Sequence, residues 1–175
     1  MYTALDTRIF LKINGLAGEN RWLDLFGLFC AKYLEYILIA ILLGVIIFAW
    51  NKKNILMATS ALVSVIISRL VVTEIIRFFY HHPRPFLVLN EAKQLIFGIN
   101  SYSFPSGHAI SYFSVAIAVF LFNKKLGALS LVLATLISLG RIYVGVHWPS
   151  DIIGGVVLAI PAAMGTTVLI KKRFR

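Results

Sequence analysis

Eight ionisable side chains stand at the ends of apolar segments in a chain otherwise poor in charge. They are His81, His82, His108, His147, Arg77, Arg84, Arg141 and Asp151. Ionisable groups at the edge of an apolar phase are costly and by default mark function. Their types suit phosphate chemistry. Guanidinium groups bind phosphate through planar, bidentate hydrogen bonds and stay charged at any relevant pH. Imidazole can attack, give up or take a proton near neutral pH.

Three local patterns sharpen this. The first is Arg77, six residues, then Arg84-Pro85, which alone is a weak signal. The second is Pro105-Ser106-Gly107-His108. Proline favours a helix start, and a helix start offers free N–H groups and a positive dipole end to an anion. Gly107 lets an oxyanion approach the backbone, Ser106 can donate a hydroxyl, and His108 can hold a proton. An ordinary capped helix with a stray histidine fits this tetrapeptide equally well. The third is Arg141, five residues, His147, three residues, Asp151. A carboxylate four positions after a histidine can fix its tautomer and leave the other nitrogen as nucleophile or base. An N-cap aspartate beside an interfacial His-Trp pair is the plainer alternative.

Taken together and in this order, the patterns resemble the signature of the type 2 phosphatidic acid phosphatase family. That family includes bacterial lipid phosphatases and shares its site with vanadium haloperoxidases. Its usual pattern is Lys-x6-Arg-Pro, Pro-Ser-Gly-His and Ser-Arg-x5-His-x3-Asp. Two positions depart from it. Arg77 stands where lysine is usual, which keeps the charge. Gly140 stands where serine is usual, which removes one hydroxyl.

The resemblance implies a metal-independent phosphatase without a cofactor. His147 would attack phosphorus and form a phosphohistidine, and Asp151 would orient it. His108 would protonate the leaving oxygen. Arg77, Arg84 and Arg141, with Ser106 and the Gly107 N–H, would hold the oxyanions. Glu74, one helical turn before Arg77, either orients Arg77 or pairs with Arg69. His81 and His82 have no family role; they could touch a headgroup, but facing water is the favoured expectation. Tyr102, Phe104, Tyr143 and Trp148 are expected in the interfacial aromatic belt.

These side chains need helices to position them, and the composition says which kind. Of 175 residues, 59% are apolar and 14% charged, and the mean hydropathy is +0.87. A soluble globule of this size cannot hide so much apolar surface. The expected fold is all-α: one polytopic membrane bundle domain, residues 1–175, with about five transmembrane helices. The spans fall at 22–50, 55–80, 107–122, 126–145 and 151–170. Apolar Leu5, Ile9, Ile13 and Leu16 recur at helical spacing over residues 3–17, which predicts an amphipathic interfacial helix. The longest loop is 81–105.

The net charge of +10 would suggest nucleic acid in a soluble domain. In a membrane protein it reports orientation. Lys52, Lys53, Lys124, Lys125, Lys171, Lys172, Arg173 and Arg175 fall in three segments that five spans place on one side. The positive-inside rule makes that side, and the C-terminus, cytoplasmic. The chemistry then faces outward from a bacterial plasma membrane. The expected partners are the bilayer and a lipid with a terminal phosphate. The small size and outward site resemble undecaprenyl-diphosphate phosphatases. Phosphatidylglycerophosphate and lipid A 1-phosphate are the alternative substrates. A non-catalytic lipid-binding or transport protein is the alternative of another class, and the intact His108, His147 and Asp151 argue against it.

Overall fold

A computed structural model describes residues 3–99 and 101–174. Met1, Tyr2, Asn100 and Arg175 of the basic tail lie outside the described residues. The described residues form helices and loops. Helix α1 (Ala4–Asn14) starts at Thr3, whose side chain accepts from the Asp6 N–H. Helix α2 (Arg21–Lys32) is capped by Asn20, and α4 (Lys52–Val65) by Asn51. Helix α8 (Lys124–Tyr143) is capped by Asn123. Each asparagine satisfies an N–H that the first helical turn leaves without a partner.

The first expected span is broken. Helix α2 stops at Lys32, α3 (Leu34–Phe48) begins after Tyr33, and the two axes differ by 47°. The second is a rod of 28 residues, Lys52–Phe79. It runs through α4, a π-helical segment (Ile66–Val72) and α5 (Thr73–Phe79). A short helix α6 (Pro85–Val88) interrupts the long loop. Helices α7 (Gly107–Phe120) and α9 (Pro149–Arg173) complete the bundle.

About five spans were expected. Among the described residues three helices are long and apolar enough to cross a membrane, or four where the bent α2–α3 pair is counted as one span. Helix α7 has 14 residues and reaches only about 21 Å at 1.5 Å per residue. Extended chain precedes it, with Ser103 and Ser106 buried. Irregular backbone of this kind is tolerated where protein covers it.

Helix α7 is the centre of the bundle and packs on α4, α8 and α9. Small residues permit the close approach. A Cβ on Gly155 would lie 2.8 Å from the Ala109 Cβ and 3.0 Å from the Ile110 nitrogen. Farther along, Met57, Ala61, Ala118, Val119 and Ala163 form a buried cluster. Between helices surrounded by lipid such packing replaces the hydrophobic effect as the source of cohesion. Large apolar side chains such as Phe48, Leu62, Leu70 and Val168 point outward. The protein is a multi-pass membrane protein.

Four elements of the bundle carry their chemistry at one end. Arg77, His108, Arg141 and Asp151 lie at that end of the Lys52–Phe79 rod, α7, α8 and α9. At the other end Lys52, Lys53 and Lys171 line a shallow cavity with Phe122 and Phe174.

Candidate active site

The nucleophile candidate sits in the short turn between α8 and α9. Gly145 makes the reversal in the left-handed region, at φ +83°, which favours glycine. The turn leaves His147 almost fully buried. Its Nδ1 lies 3.3 Å from Asp151 Oδ2, one turn into α9. Asp151 is itself fully buried and is heavily supported. Oδ2 accepts from the Trp148 N–H at 2.8 Å and from the Ser103 hydroxyl. Oδ1 faces His82 Nδ1 at 3.1 Å. A carboxylate on Nδ1 fixes the proton there and leaves Nε2 with its lone pair.

Burial pushes His147 below the ordinary histidine value. Arg84 and Arg141 push the same way, and Asp151 opposes them. The ring is therefore neutral at neutral pH, as a nucleophile must be.

Arg84 is anchored on all sides. Nε donates to the Ser101 carbonyl at 2.8 Å, and Nη1 to the Val146 carbonyl at 2.6 Å. Nη2 donates to the Ser101 hydroxyl at 3.1 Å. Nη1 also lies 3.4 Å from His147 Nε2, so this guanidinium marks where a group attacked by Nε2 would sit. Burial and the charges of Arg77 and Arg141 lower Arg84 to about 10, which leaves it charged at neutral pH. Arg77 donates to the Pro105 carbonyl at 3.1 Å, and Arg141 to the Ala31 carbonyl at 3.3 Å.

Arg77, Arg84, Gly107, His108, Arg141 and His147 line one cavity of about 550 Å³. Arg69 joins them, a fourth guanidinium that the motifs did not include. In a regular helix, residues eight apart fall about 80° out of phase. The wider π-helical turn at Ile66–Val72 takes up part of that difference, so Arg69 and Arg77 face the same cavity. π-Turns of this kind often mark functional sites.

Several expected placements change. His82 does not face water; it is 3% exposed and stacks on Tyr80 against Asp151. Its carbonyl accepts from the Ser103 N–H at 2.8 Å, which draws the loop over the site. His81 stacks on the half-exposed Tyr102. Trp148 and Tyr143 are not belt residues. Trp148 is fully buried, packs on Phe10 and donates to the Pro83 carbonyl at 2.9 Å. Tyr143 is buried and donates to Asp24 at 2.7 Å. Phe104 fills the space left by Gly154.

Glu74 hydrogen-bonds Arg69 at 2.6 Å and stands 3.9 Å from Arg77, so its main partner is Arg69. Ser106 is fully buried. Its hydroxyl accepts from the Ala109 N–H, and its own N–H donates to the Asp151 carbonyl. Gly107 admits a close neighbour, but that neighbour is Arg69: a Cβ there would lie 2.8 Å from its Nε. Gly140 faces α2, where a Cβ would lie 2.8 Å from the Ala31 nitrogen. The serine usual at that position has no room here.

Glu35, Ser103 and His82 are polar neighbours that the motifs missed. Glu35 carried a signal, a carboxylate beside an apolar span. Ser103 and His82 carried none at the level of spacing. An apolar cleft of about 470 Å³ adjoins the charged cavity and shares Ser111 and Tyr112 with it. Ile39, Leu42, Leu62, Val65 and Val115 are among its walls.

The family model of the PAP2 superfamily matches residues 57–175. The chain is 33% identical over 165 residues to the Bacillus licheniformis protein named bacitracin transport permease protein BcrC, covering 93% of this chain and 79% of that one. It is 32% identical over 158 residues to undecaprenyl-diphosphatase BcrC of Bacillus subtilis, covering 89% and 79%. Among solved structures, LpxE of Aquifex aeolicus superposes with a TM-score of 0.77 at 26% identity, covering 94% of this chain and 95% of that one. The matched region contains each of the three motifs, and the chain belongs to the PAP2 superfamily.

Proposed function

We propose that the protein is a lipid phosphatase that hydrolyses undecaprenyl diphosphate to undecaprenyl phosphate and phosphate. The observation that carries the chemistry is the orientation of His147, with Nδ1 on Asp151 and Nε2 on the arginine-lined cavity. Nε2 attacks the terminal phosphorus, the P–O bond to the leaving group breaks, and His108 gives that oxygen its proton. The phosphohistidine is then hydrolysed by a water whose proton returns to His108. Arg69, Arg77, Arg84 and Arg141 neutralise the spreading charge, which is the main demand of phosphoryl transfer. The guanidinium groups supply the positive charge, so this reading assigns no step to a metal.

The lipid part rests on two supports. The apolar cleft that adjoins the cavity suits a chain attached to the phosphate. A relative that is 32% identical over 158 residues is named an undecaprenyl-diphosphatase. Another is named a transport permease, but the supported His147–Asp151 pair is built for reaction, and transport alone has no use for it.

In this reading the basic end of the bundle lies in the cytoplasm with the C-terminus. The site opens outward from a bacterial plasma membrane. Purified protein in detergent with excess EDTA is expected to release phosphate from undecaprenyl diphosphate. Release only from phosphatidylglycerophosphate or lipid A would keep the mechanism and overturn the substrate. Release from none of the three would overturn the enzyme.

A further inference from the structure

The cavity wall carries one charged side chain that the mechanism above does not use. Glu35 is the only carboxylate lining the cavity among the described residues. It sits among four guanidinium groups that a phosphate must reach. A negative charge there opposes anion binding, so its presence calls for a task.

The local structure says what it touches. The break at Tyr33 starts a new helix, with Glu35 in its first turn. Glu35 Oε2 lies 3.3 Å from His108 Nε2. The Tyr112 hydroxyl, one turn along α7 from His108, donates to the same oxygen at 2.7 Å. Both ring and carboxylate keep partial access to the cavity, with side chains 31% and 17% exposed. Tyr112 therefore fixes the carboxylate, and the carboxylate faces the ring.

The charges around His108 show why this matters. From the π-helical segment it faces Arg69, from α8 Arg141, and across the cavity Arg77, Arg84 and His147. Four positive groups disfavour an imidazolium. Yet an acid that protonates a leaving oxygen must hold a proton before substrate arrives.

We infer that Glu35, held by Tyr112, is the positioning residue that keeps His108 protonated and oriented as the general acid. The inference rests on the phosphatase reading above. The site then holds two histidine–carboxylate pairs with opposite tasks, one behind the cavity wall and one on it. Asp151 meets His147 through Nδ1 in a fully buried pair and leaves a neutral nucleophile. Glu35 meets His108 through Nε2 at the cavity surface and sustains a cation. In the step itself the ring N–H proton passes to the leaving oxygen as the P–O bond breaks. Glu35 stays an anion throughout, and the ring recovers its proton from the water that cleaves the phosphohistidine.

The test is the pH profile of turnover by wild-type protein and Glu35→Gln on the lipid phosphate that the wild type hydrolyses best. Glutamine keeps the shape and removes the charge. The alkaline limb of kcat, where the acid loses its proton, is expected to move to lower pH by about one unit or more. Turnover at neutral pH should fall about tenfold or more with KM changed far less. Glu35→Asp keeps the charge at a longer distance and should move the limb in the same direction by less. If the glutamine variant does not fold, the aspartate variant alone decides, and an unmoved limb overturns the inference. A Glu35→Gln enzyme with an unmoved limb, or with a loss confined to KM, also overturns it. Wild-type protein inert toward every lipid phosphate would overturn the phosphatase reading and this inference together, whereas an active wild type with an unmoved limb in the variant overturns this inference alone.

Discussion

Asp151 stands between two imidazoles: His147 Nδ1 lies 3.3 Å from one carboxylate oxygen, and His82 Nδ1 lies 3.1 Å from the other. The second contact, together with the Ser103 hydroxyl and the Trp148 N–H, fixes the carboxylate plane. His147 is oriented only as well as Asp151 is.

That arrangement makes His82 more than packing. Replacing it by phenylalanine keeps a ring on Tyr80 and removes a donor to a buried charge. Such a bond is worth about 1.5–3 kcal/mol, or roughly tenfold to a hundredfold in rate if the transition state depends on it. His82→Phe is expected to lower kcat by that amount with KM little changed. Steady-state rates in detergent would show it, and an unchanged kcat would remove His82 from the site.

His147 itself gives a sharper outcome. His147→Ala is expected to lose turnover by about a thousandfold or more. It should also fail to accumulate an acid-labile phosphoenzyme when substrate is mixed and quenched at alkaline pH. Trapped phosphoenzyme in this variant would move the nucleophile elsewhere.

The pH dependence has a definite sign. Burial lowers His147 from its ordinary value of 6.5, so the folded protein favours the neutral ring. The unfolded chain binds the extra proton first as pH falls. The stability this group contributes is therefore present above about pH 6.5 and is lost as pH falls toward the folded value. The same depression keeps His147, the proposed nucleophile, unprotonated. The acid limb of kcat/KM is expected well below pH 6.5. A limb centred at or above 6.5 would show that the ring is not buried as described.

Gly140 offers a test of why this chain departs from the family pattern. Serine there would drive a Cβ to 2.8 Å from the Ala31 nitrogen and 3.0 Å from the Cys30 Cβ. Overpacking of this kind costs about 1–3 kcal/mol. Gly140→Ser is expected to lower the thermal midpoint with no gain in turnover, measured by a thermal scan alongside the rate.

Asp6 fastens the N-terminal helix to the site. Its two oxygens accept from the N–H and the hydroxyl of Ser150 at the start of α9, one residue before Asp151. Loss of such a cap costs about 0.5–2 kcal/mol. Asp6→Ala is expected to lower the thermal midpoint, and Asp6→Asn should retain part of it. A midpoint unaltered by Asp6→Ala would show that α1 does not hold α9.

What the sequence by itself determined was the membrane class, the helical fold and most of the side chains that gather at the cavity. Those features are local. Apolar runs declare helices in lipid because only helices satisfy their own backbone there. Arg77 with Arg84, Pro105 through His108, and Arg141 with His147 and Asp151 are each set by spacing within one segment. Asn20, Asn51 and Asn123 likewise announce helix starts. The tertiary structure alone decided the rest. Glu35 meets His108 because the chain bends between α2 and α3 at Tyr33 and α3 packs on α8 with its first turn at the cavity, and His82 meets Asp151 because the long loop folds over the site. Arg69 reaches the cavity through a π-turn, and Gly107 makes room for it. Trp148 and Tyr143 read as interfacial because their type favours interfaces, yet packing against α1 and α2 buried both. Contacts between residues tens of positions apart leave no period in the chain, so only the packed bundle fixes which carboxylate faces which histidine.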